Sequence, residues 1–162
     1  MSGLVIREAR DDELDIVASL IVDAYAEYAA RMSPDAWSTF AQDIANVRGR
    51  LWDARQLVAD RDGHLVGSVT LYADWRGAQP GTVTLRLLAV MPDARGSGVG
   101  RALMEGAMAR ARAAGKTRLV LTTTQEMEAI RDLVESIGFH RETGLDHEPA
   151  PGVRFEGYAL EL

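Results

Sequence analysis

The stretch MPDARGSGVGRALM (residues 91–104) decides how this sequence folds, because it joins a strand-like run to a helix-like run. The residues before it, LRLLAV (85–90), form an apolar run of the length that is typical of a buried strand. A helix is predicted after it as far as about Ala114, where Gly115 is a natural stop. The stretch is therefore predicted to be the turn between a buried strand and a helix.

Glycines and arginines are concentrated in this turn, which contains Arg95, Gly96, Gly98, Gly100 and Arg101. The N-terminus of a helix has backbone N–H groups without helical partners and a partial positive charge. Glycines there let the backbone approach an anion with no Cβ in the way, and arginines add full charges. The turn is predicted to cradle a phosphate-bearing ligand. The alternative is a glycine-rich turn that binds nothing.

Two common phosphate-binding motifs do not fit the turn. The dinucleotide fingerprint G-x-G-x-x-G begins correctly at Gly96 and Gly98, but Arg101 stands at its third glycine. A Walker A loop fails at the same residue, because Arg101 follows Gly96 by five positions. The substitution of Arg101 for the third glycine therefore weakens, but leaves open, the hypothesis of a dinucleotide-dependent oxidoreductase.

The rest of the chain predicts one domain over residues 1–162 with an α/β fold, in which a mixed sheet is flanked by helices. The predicted strands are 4–9, 55–61, 64–75, 82–90, 117–123, one that begins at 139, and 153–162, and Asp62-Gly63 is the predicted hairpin turn. The predicted helices are 11–32, one that begins at Ser33-Pro34, one after the glycine turn, and 125–137, which Gly138 ends. The first begins with a cap and first-turn acids at Asp11, Asp12 and Glu13, and the last has a core face that includes Met127, Ile130 and Leu133. Residues 76–81 and 142–152 are predicted to be irregular.

The composition excludes several classes of protein and site. Of the 162 residues 47% are apolar and none is cysteine, so disulfides and thiolate metal sites are excluded. The net charge of −6 disfavours nucleic-acid binding. No apolar run is long enough to span a membrane, and the charged N-terminus does not resemble a signal peptide, so we expect a cytoplasmic protein without membrane contact. Three separated histidines give no metal-ligand spacing.

The sequence RGSGVG (95–100) satisfies the pattern R-x-x-G-x-G, and here the chain resembles the GNAT family of acyl-CoA-dependent N-acetyltransferases. The stretch LVLTTTQEMEAIRDLVESIGF (119–139) looks like the family's second motif, a strand and then a helix that ends in Gly-Phe. The opening strand and helix (5–28) and the hairpin LVADRDGHLVGSVTLY (57–72) also fit. The resemblance covers nearly the whole chain.

The resemblance implies the GNAT fold and acetyl-CoA as the acyl donor, with coenzyme A as the product. In that family the glycine loop holds the pyrophosphate, and the pantetheine arm pairs with the strand before the loop. The residues expected to hold coenzyme A are Leu88, Ala89, Val90, Arg95, Gly96, Ser97, Gly98, Val99, Gly100 and Arg101. The backbone N–H of Val90 would face the thioester carbonyl and stabilise its developing charge. The side chains of Leu88 and Val90 also suit core packing, and both roles can hold.

The sequence departs from the family at the positions for acid and base. Val134 stands where the family commonly has a tyrosine acid, and Thr84 stands near the place of a frequent glutamate base. The catalytic residues are therefore unknown, and Tyr72 or Tyr158 is offered as a proton donor without preference. A catalytically silent acyl-CoA sensor or partner module is the alternative function.

The amine acceptor is not specified by the sequence. Tyr25, Tyr28 and Trp37 fall in the region that lines the acceptor site in this family, although each also suits the core. Trp75, at the end of a predicted strand, has the same two readings. The acidic net charge mildly favours cationic acceptors by electrostatic steering. The family also allows a homodimer.

Overall fold

The computed structural model describes residues 3–73, 80–124, 127–150 and 153–162. Trp75 and most of the predicted loop 76–81 lie outside the described residues. No helix in the described ranges is long and apolar enough to cross a membrane.

The helices and strands that the sequence predicts occur in the predicted order, and the structure adds one short helix, Val47–Arg50, and one short strand, His147–Ala150. The strands are β1 (Leu4–Glu8), β2 (Arg55–Arg61), β3 (His64–Tyr72), β4 (Thr82–Val90), β5 (Arg118–Thr124), β6 (His140–Arg141), β7 (His147–Ala150) and β8 (Val153–Glu161). The helices are α1 (Leu14–Tyr25), α2 (Pro34–Ala45), α3 (Val47–Arg50), α4 (Val99–Ala113) and α5 (Glu128–Ile137).

The described strands form one mixed sheet in the order β1-β2-β3-β4-β5-β8-β6, and β7 pairs with β8. Only β4 and β5 are parallel; the other pairs are antiparallel. A parallel pair needs a crossover connection, and α4 provides it. The predicted α/β architecture is confirmed.

The sheet is interrupted at its centre. The parallel pairing of β4 with β5 runs from Thr82 opposite Arg118 to Leu85 opposite Leu121 and goes no further. Just beyond Leu85, β4 contains an irregularity in which Leu87 has a φ of +55° and the register with β3 shifts. A left-handed residue bends the strand, as β-bulges do. The second half of β4 therefore leaves β5, and a cleft lies between the two strands.

Two hydrophobic clusters lie on opposite faces of the sheet. Leu57 and Ala59 point to the face covered by α4 and α5, where they pack with Leu103 and Val134. Val58, between them in β2, points to the face covered by α1 to α3. This alternation is the two-residue period that a strand buried on both faces requires.

Two predicted turns are confirmed by their backbone angles. Asp62 and Gly63 join β2 to β3 with φ values of +53° and +90°, which are the angles of a tight hairpin turn. Gly138 ends α5 with a φ of +117°, in the left-handed conformation that favours glycine.

The predicted helix 11–32 is shorter in the structure, because 3₁₀ turns replace both of its ends. At its start the predicted cap and first-turn acids include Glu13, which instead turns inward and is 6% exposed. Both Glu13 oxygens accept hydrogen bonds of 2.8 Å from Arg7, and Oε1 also accepts one from the Arg10 backbone N–H. These bonds, the Arg7 pair above all, lower the pKa of Glu13 to about 2.

The stretch 142–152, predicted to be irregular, contains a 3₁₀ turn and strand β7. The Asp146 carboxylate organises it by accepting bonds of 2.8 and 2.9 Å from Arg141 and one of 2.8 Å from the Gly157 backbone N–H. The ring of His147, which begins β7, stacks on Phe155 with a centroid distance of 5.4 Å. The proline and glycine content of this segment indicates a loop. The bonds to Asp146 and the stacking of His147 on Phe155 instead order it against β8.

Candidate functional site

A cavity of about 640 Å³ lies where β4 leaves β5. Its floor is the end of β4, and its walls are the C-terminal end of α1 and the N-terminal halves of α4 and α5. The lining residues are Ala24, Tyr25, Glu27, Tyr28, Leu88, Ala89, Val90, Ala94, Arg95, Gly96, Gly98, Val99, Gly100, Arg101, Met127, Glu128, Ala129, Ile130 and Leu133. The predicted strand–turn–helix stretch therefore forms one side of the cavity.

The N-terminus of α4 faces this cavity. Gly96 and Gly98 have φ values of +78° and +86°, a conformation that other residues rarely adopt. No described side chain caps the helix, and the first intrahelical bond joins the Ala102 N–H to the Gly98 carbonyl. The backbone N–H groups that precede Ala102 in α4 thus have no helical partner. They suit an anion such as a phosphate oxygen.

Gly100 serves a different need from the other two glycines. A Cβ added at this position would lie 3.0 Å from Leu133 Cδ2 and 3.7 Å from Val90 Cγ2. By contrast, a Cβ at Gly96 would meet nothing within 4 Å. Gly100 therefore permits close packing of α4 against α5, whereas Gly96 is needed for its backbone angle and leaves open space beside it.

The two predicted cations lie at the cavity but are already engaged. Arg95 forms a 2.7 Å ion pair with Glu27 and donates 3.1 Å to the Ala24 carbonyl at the end of α1. Arg101 donates 2.7 Å to the Ser136 hydroxyl of α5. The arginines thus link the helices that surround the turn, while their charges remain beside the N-terminus of α4.

The main chain of β4 presents hydrogen-bonding groups to the cavity. The Met91 N–H donates 2.9 Å to the Val66 carbonyl of the neighbouring strand. Because hydrogen-bonding direction alternates along an antiparallel pair, Leu88 and Val90 direct their backbone groups away from β3 and toward the cleft. An extended ligand can therefore pair with this part of β4 as an additional strand would.

The hydroxyl of Tyr25 reaches the same strand. It donates 3.1 Å to the Leu88 carbonyl, and the residue is 5% exposed. Burial, with a smaller contribution from Tyr28, raises the pKa of Tyr25 above its usual value, so the hydroxyl keeps its proton. Tyr25 thus supplies a protonated group at the point where the cavity meets β4.

An aromatic group continues outward from Tyr25. Tyr28 and Phe40 lie with ring centroids 6.0 and 6.3 Å from that of Tyr25. Trp37 contacts Phe40 at 6.1 Å and does not itself line the cavity. Of the three predicted acceptor-site residues, Tyr25 and Tyr28 therefore line the cavity, and Trp37 packs on Phe40 outside it.

The predicted residues of the glycine turn and of β4 all line the cavity except Ser97. The Ser97 hydroxyl donates 2.5 Å to the Ala94 carbonyl and accepts bonds of 3.3 Å from Arg61. Ser97 thus stabilises the turn by a hydrogen bond within it, on the side away from the cavity.

The sequence predicts that the apolar face of α5 belongs to the core alone. Met127, Ile130 and Leu133 recur on one face of α5, and the structure places this face against the cavity. Met127 is 4% exposed and so is both core and wall. The apolar face was visible in the sequence, but nothing in it indicated that a cavity rather than another element lies opposite.

No tyrosine acid or glutamate base stands where the resemblance would place one. Val134 is fully buried in the cluster beneath α4 and α5, and Thr84 is partly buried in β4. Tyr158, buried in that same cluster, donates 3.4 Å to Glu135 and does not line the cavity. Within the described part of the chain, no group of three His, Cys, Asp or Glu side chains is arranged to hold a metal ion.

Comparison with known proteins gives a family match over most of the chain. The model of the acetyltransferase (GNAT) family matches residues 16–139. A mycothiol acetyltransferase from Propionibacterium freudenreichii subsp. shermanii is 31% identical over 164 residues, which cover 98% of this chain and 50% of that protein. The chain thus spans about half the length of this relative.

Solved structures share the fold at low sequence identity. The protein yncA from Salmonella typhimurium, determined with its cofactor acetyl-CoA, is 21% identical with a TM-score of 0.71, and 99% of this chain and 95% of that chain are covered. The PaiA N-acetyltransferase from Thermoplasma acidophilum, in complex with coenzyme A, is 17% identical with a TM-score of 0.75, and the coverage is 97% and 98%.

Proposed function

The chain belongs to the acetyltransferase (GNAT) family, as its sequence predicts, and from this premise we propose that it transfers the acetyl group of acetyl-CoA to an amine. One observation carries the proposal: the free N–H groups of α4 and the cleft-facing main chain of β4 lie in one cavity of about 640 Å³. A ligand with a pyrophosphate at one end and an amide-rich arm can contact both.

The pyrophosphate of acetyl-CoA fits the N-terminus of α4 in this proposal. Residues 95–101 surround it, and the open space beside Gly96 leaves room for phosphate oxygens. The partial positive charge of the helix end favours the anion, and Arg95 and Arg101 add to it. No acidic residue lies in the first turn of α4 to oppose that charge.

The pantetheine arm follows β4 past Ala89, with its amides paired to the cleft-facing groups of Leu88 and Val90. This arrangement is the addition of an extended ligand to an exposed strand edge, in which main-chain hydrogen bonds supply the affinity. The interruption of the β4–β5 pairing after Leu85 leaves that edge available.

Acetyl-CoA supplies an acetyl thioester, whose carbonyl carbon forms the new bond to the amine nitrogen as the bond to sulfur breaks. Coenzyme A leaves as the thiolate, which takes up the proton that the amine nitrogen loses. The Val90 N–H stabilises the negative charge that develops on the carbonyl oxygen. Tyr25 holds the Leu88 carbonyl two residues away and so fixes the strand on which that donor lies. The amine must be neutral to attack, and Tyr25 and Tyr28 are at hand to contact it.

The test is thiol release from acetyl-CoA with a panel of amines, amino acids, polyamines and peptides, beside a calorimetric titration of acetyl-CoA alone. Release with some of the amines, together with saturable binding, is the expected result. Binding without release across the panel would favour a silent acyl-CoA-binding module, for which the buried Val134 is the structural argument. A protein that binds no acetyl-CoA would refute both.

A further inference from the structure

Arg86 is a charged residue in the centre of the sheet. It lies in β4 between Leu85, which belongs to the α4 side of the core, and Leu87, where the strand bends. By strand alternation its side chain lies on the opposite face, beneath α1 to α3. Together with Tyr25 and Leu88, Arg86 lines a small pocket in the cleft between β4 and β5. Arg86 therefore lies next to the site proposed for the thioester.

A second arginine, Arg50 of α3, is near enough to Arg86 for the two charges to interact. Arg50 is 9% exposed and donates 2.7 and 2.6 Å to the main-chain carbonyls of Asp43 and Ile44. Its Nε atom is buried without a hydrogen-bond partner in the described ranges. Burial first, and then the charge of Arg86, lower the pKa of Arg50.

Neither arginine has a carboxylate partner among the described residues, although several other arginines of the chain do. Arg7, Arg95, Arg118 and Arg141 each form an ion pair of 3.0 Å or shorter. Asp43 is near enough for its charge to raise the pKa of Arg50, but only its main-chain carbonyl contacts the guanidinium. Two like charges near each other disfavour one another, and an anion from outside relieves this cost.

The other polar residues on this sheet face bring no negative charge. Gln56 donates 2.5 Å to Ser68 and accepts 2.9 Å from Thr70, and all three are at most 2% exposed. They form hydrogen bonds with one another and carry no charge. These three residues therefore do not offset the charge of Arg86, in a chain whose net charge is −6.

We propose that the acceptor is an amine that also carries a carboxylate, which Arg86 binds. The inference rests on the proposed acetyl transfer and names its substrate class. Arg86 lies two residues before Leu88, a separation of roughly 7 Å along a strand. An acceptor whose carboxylate is a few bonds from its amine nitrogen can contact the Arg86 side chain with one end and the thioester with the other. Local charge thus overrides the preference for cationic acceptors that net charge alone predicts.

The experiment compares matched acceptors in the thiol-release assay: free amino acids and their C-terminal amides, which differ only in the carboxylate. The amides have the less basic amines, so a preference for the acids does not come from amine reactivity. We expect the acids to have a kcat/KM at least about tenfold higher, because a charge-assisted hydrogen bond has that magnitude.

Variants locate the effect. Arg86→Gln should raise KM for the amino acid about tenfold and leave the affinity for acetyl-CoA unchanged, while Arg86→Lys keeps part of the preference. Arg112→Gln, the same charge change on an exposed residue near the far end of α4, is the matched control and should change neither. Equal turnover of acids and amides, inert amino acids, or an unchanged preference in Arg86→Gln would overturn the inference. Turnover of other amines in those cases would leave the acetyl transfer itself standing.

Discussion

The Tyr25 hydroxyl donates a 3.1 Å hydrogen bond to the main-chain carbonyl of Leu88, so the end of α1 is tied to β4 one residue beyond its bend. The bond is buried, and it lies two residues from the N–H group of Val90. A single side chain thus fixes the part of the strand that faces the cavity.

Tyr25→Phe removes this bond and keeps the ring in place. We expect the free energy of unfolding to fall by about 1 kcal/mol, because the Leu88 carbonyl loses its donor. The kcat/KM for acetyl transfer should fall about tenfold as the alignment of β4 relaxes. Urea unfolding and steady-state kinetics measure the two effects.

Tyr158→Phe is the matched control for that change. It also removes one buried tyrosine hydroxyl, but its 3.4 Å bond to Glu135 lies outside the cavity. It should leave kcat/KM for acetyl transfer unchanged. Equal kinetic losses in the two variants would show that Tyr25 acts through general stability rather than through β4.

Gly96→Ala should weaken acetyl-CoA binding more than it weakens the fold. Its φ of +78° makes the alanine backbone strained by about 1 kcal/mol, and no protein atom lies within 4 Å of the added Cβ. The Cβ would occupy space proposed for the pyrophosphate, so we expect the Kd to rise by about tenfold or more. Calorimetry measures the Kd, and thermal unfolding measures the strain.

Gly115→Ala produces the same backbone strain at a position far from the proposed ligand site. Its φ is +76°, and a Cβ there also meets nothing within 4 Å, but it follows the C-terminus of α4. Both variants should lose similar stability, and Gly115→Ala should bind acetyl-CoA as the parent does. Parallel losses of affinity would refute the placement of the pyrophosphate at Gly96.

Glu13→Gln should lower the free energy of unfolding near neutral pH by about 2 kcal/mol, because Arg7 loses a charged partner. The folded pKa of about 2 lies below the ordinary value of 4.5, so the unfolded chain takes up this proton first. The contribution of Glu13 is complete above pH 4.5 and is lost as the pH falls toward about 2.

Urea unfolding at a series of pH values in this window tests the assignment. The difference between the parent and Glu13→Gln should shrink as the pH falls. Asp12→Asn removes a neighbouring but exposed carboxylate and should change stability by less than about 0.5 kcal/mol. A difference that is constant with pH would contradict the ion pair as its source.

Gly157→Ala should destabilise the fold by about 3 kcal/mol. A Cβ at this position in β8 would lie 2.3 Å from Leu145 Cβ and 2.6 Å from the Glu142 carbonyl oxygen, so the backbone must shift. Gly144→Ala, in the same segment, meets nothing within 4 Å and should be neutral. Thermal unfolding of the pair measures the difference, and equal melting temperatures would argue against the packing of this segment on β8.

The sequence predicts elements wherever one local cause is sufficient. Asp62-Gly63 is a hairpin because its two residues adopt left-handed angles readily, and Gly138 ends a helix for the same reason. Strand β7 was missed because its order comes from Asp146 and the Gly157 N–H, eleven residues apart, which no local pattern indicates. The helix pattern predicts Glu13 only as a first-turn acid, because its partner, Arg7, lies on β1 and outside that pattern.

The candidate site divides in the same way. The glycine turn and the end of β4 were predicted because a strand, a turn and a helix are contiguous in sequence. The engagement of Arg95 by Glu27 depends on how the end of α1 meets that turn, and only the folded chain shows it. Arg86 carried a visible signal, a charge within an apolar strand, but its relation to Arg50 required the packing of α3.

The short seam between β4 and β5 has a consequence for the cooperativity of the whole domain. The strands β1 to β4 and the strands β5 to β8 share only the register from Thr82 to Leu85 as a direct ladder. A bound donor that pairs with Leu88 and Val90 adds rungs on the β4 side of this seam. Because the ligand binds only the folded state, it stabilises both halves of the sheet. Amide hydrogen exchange in the two halves should therefore slow together as the ligand concentration rises.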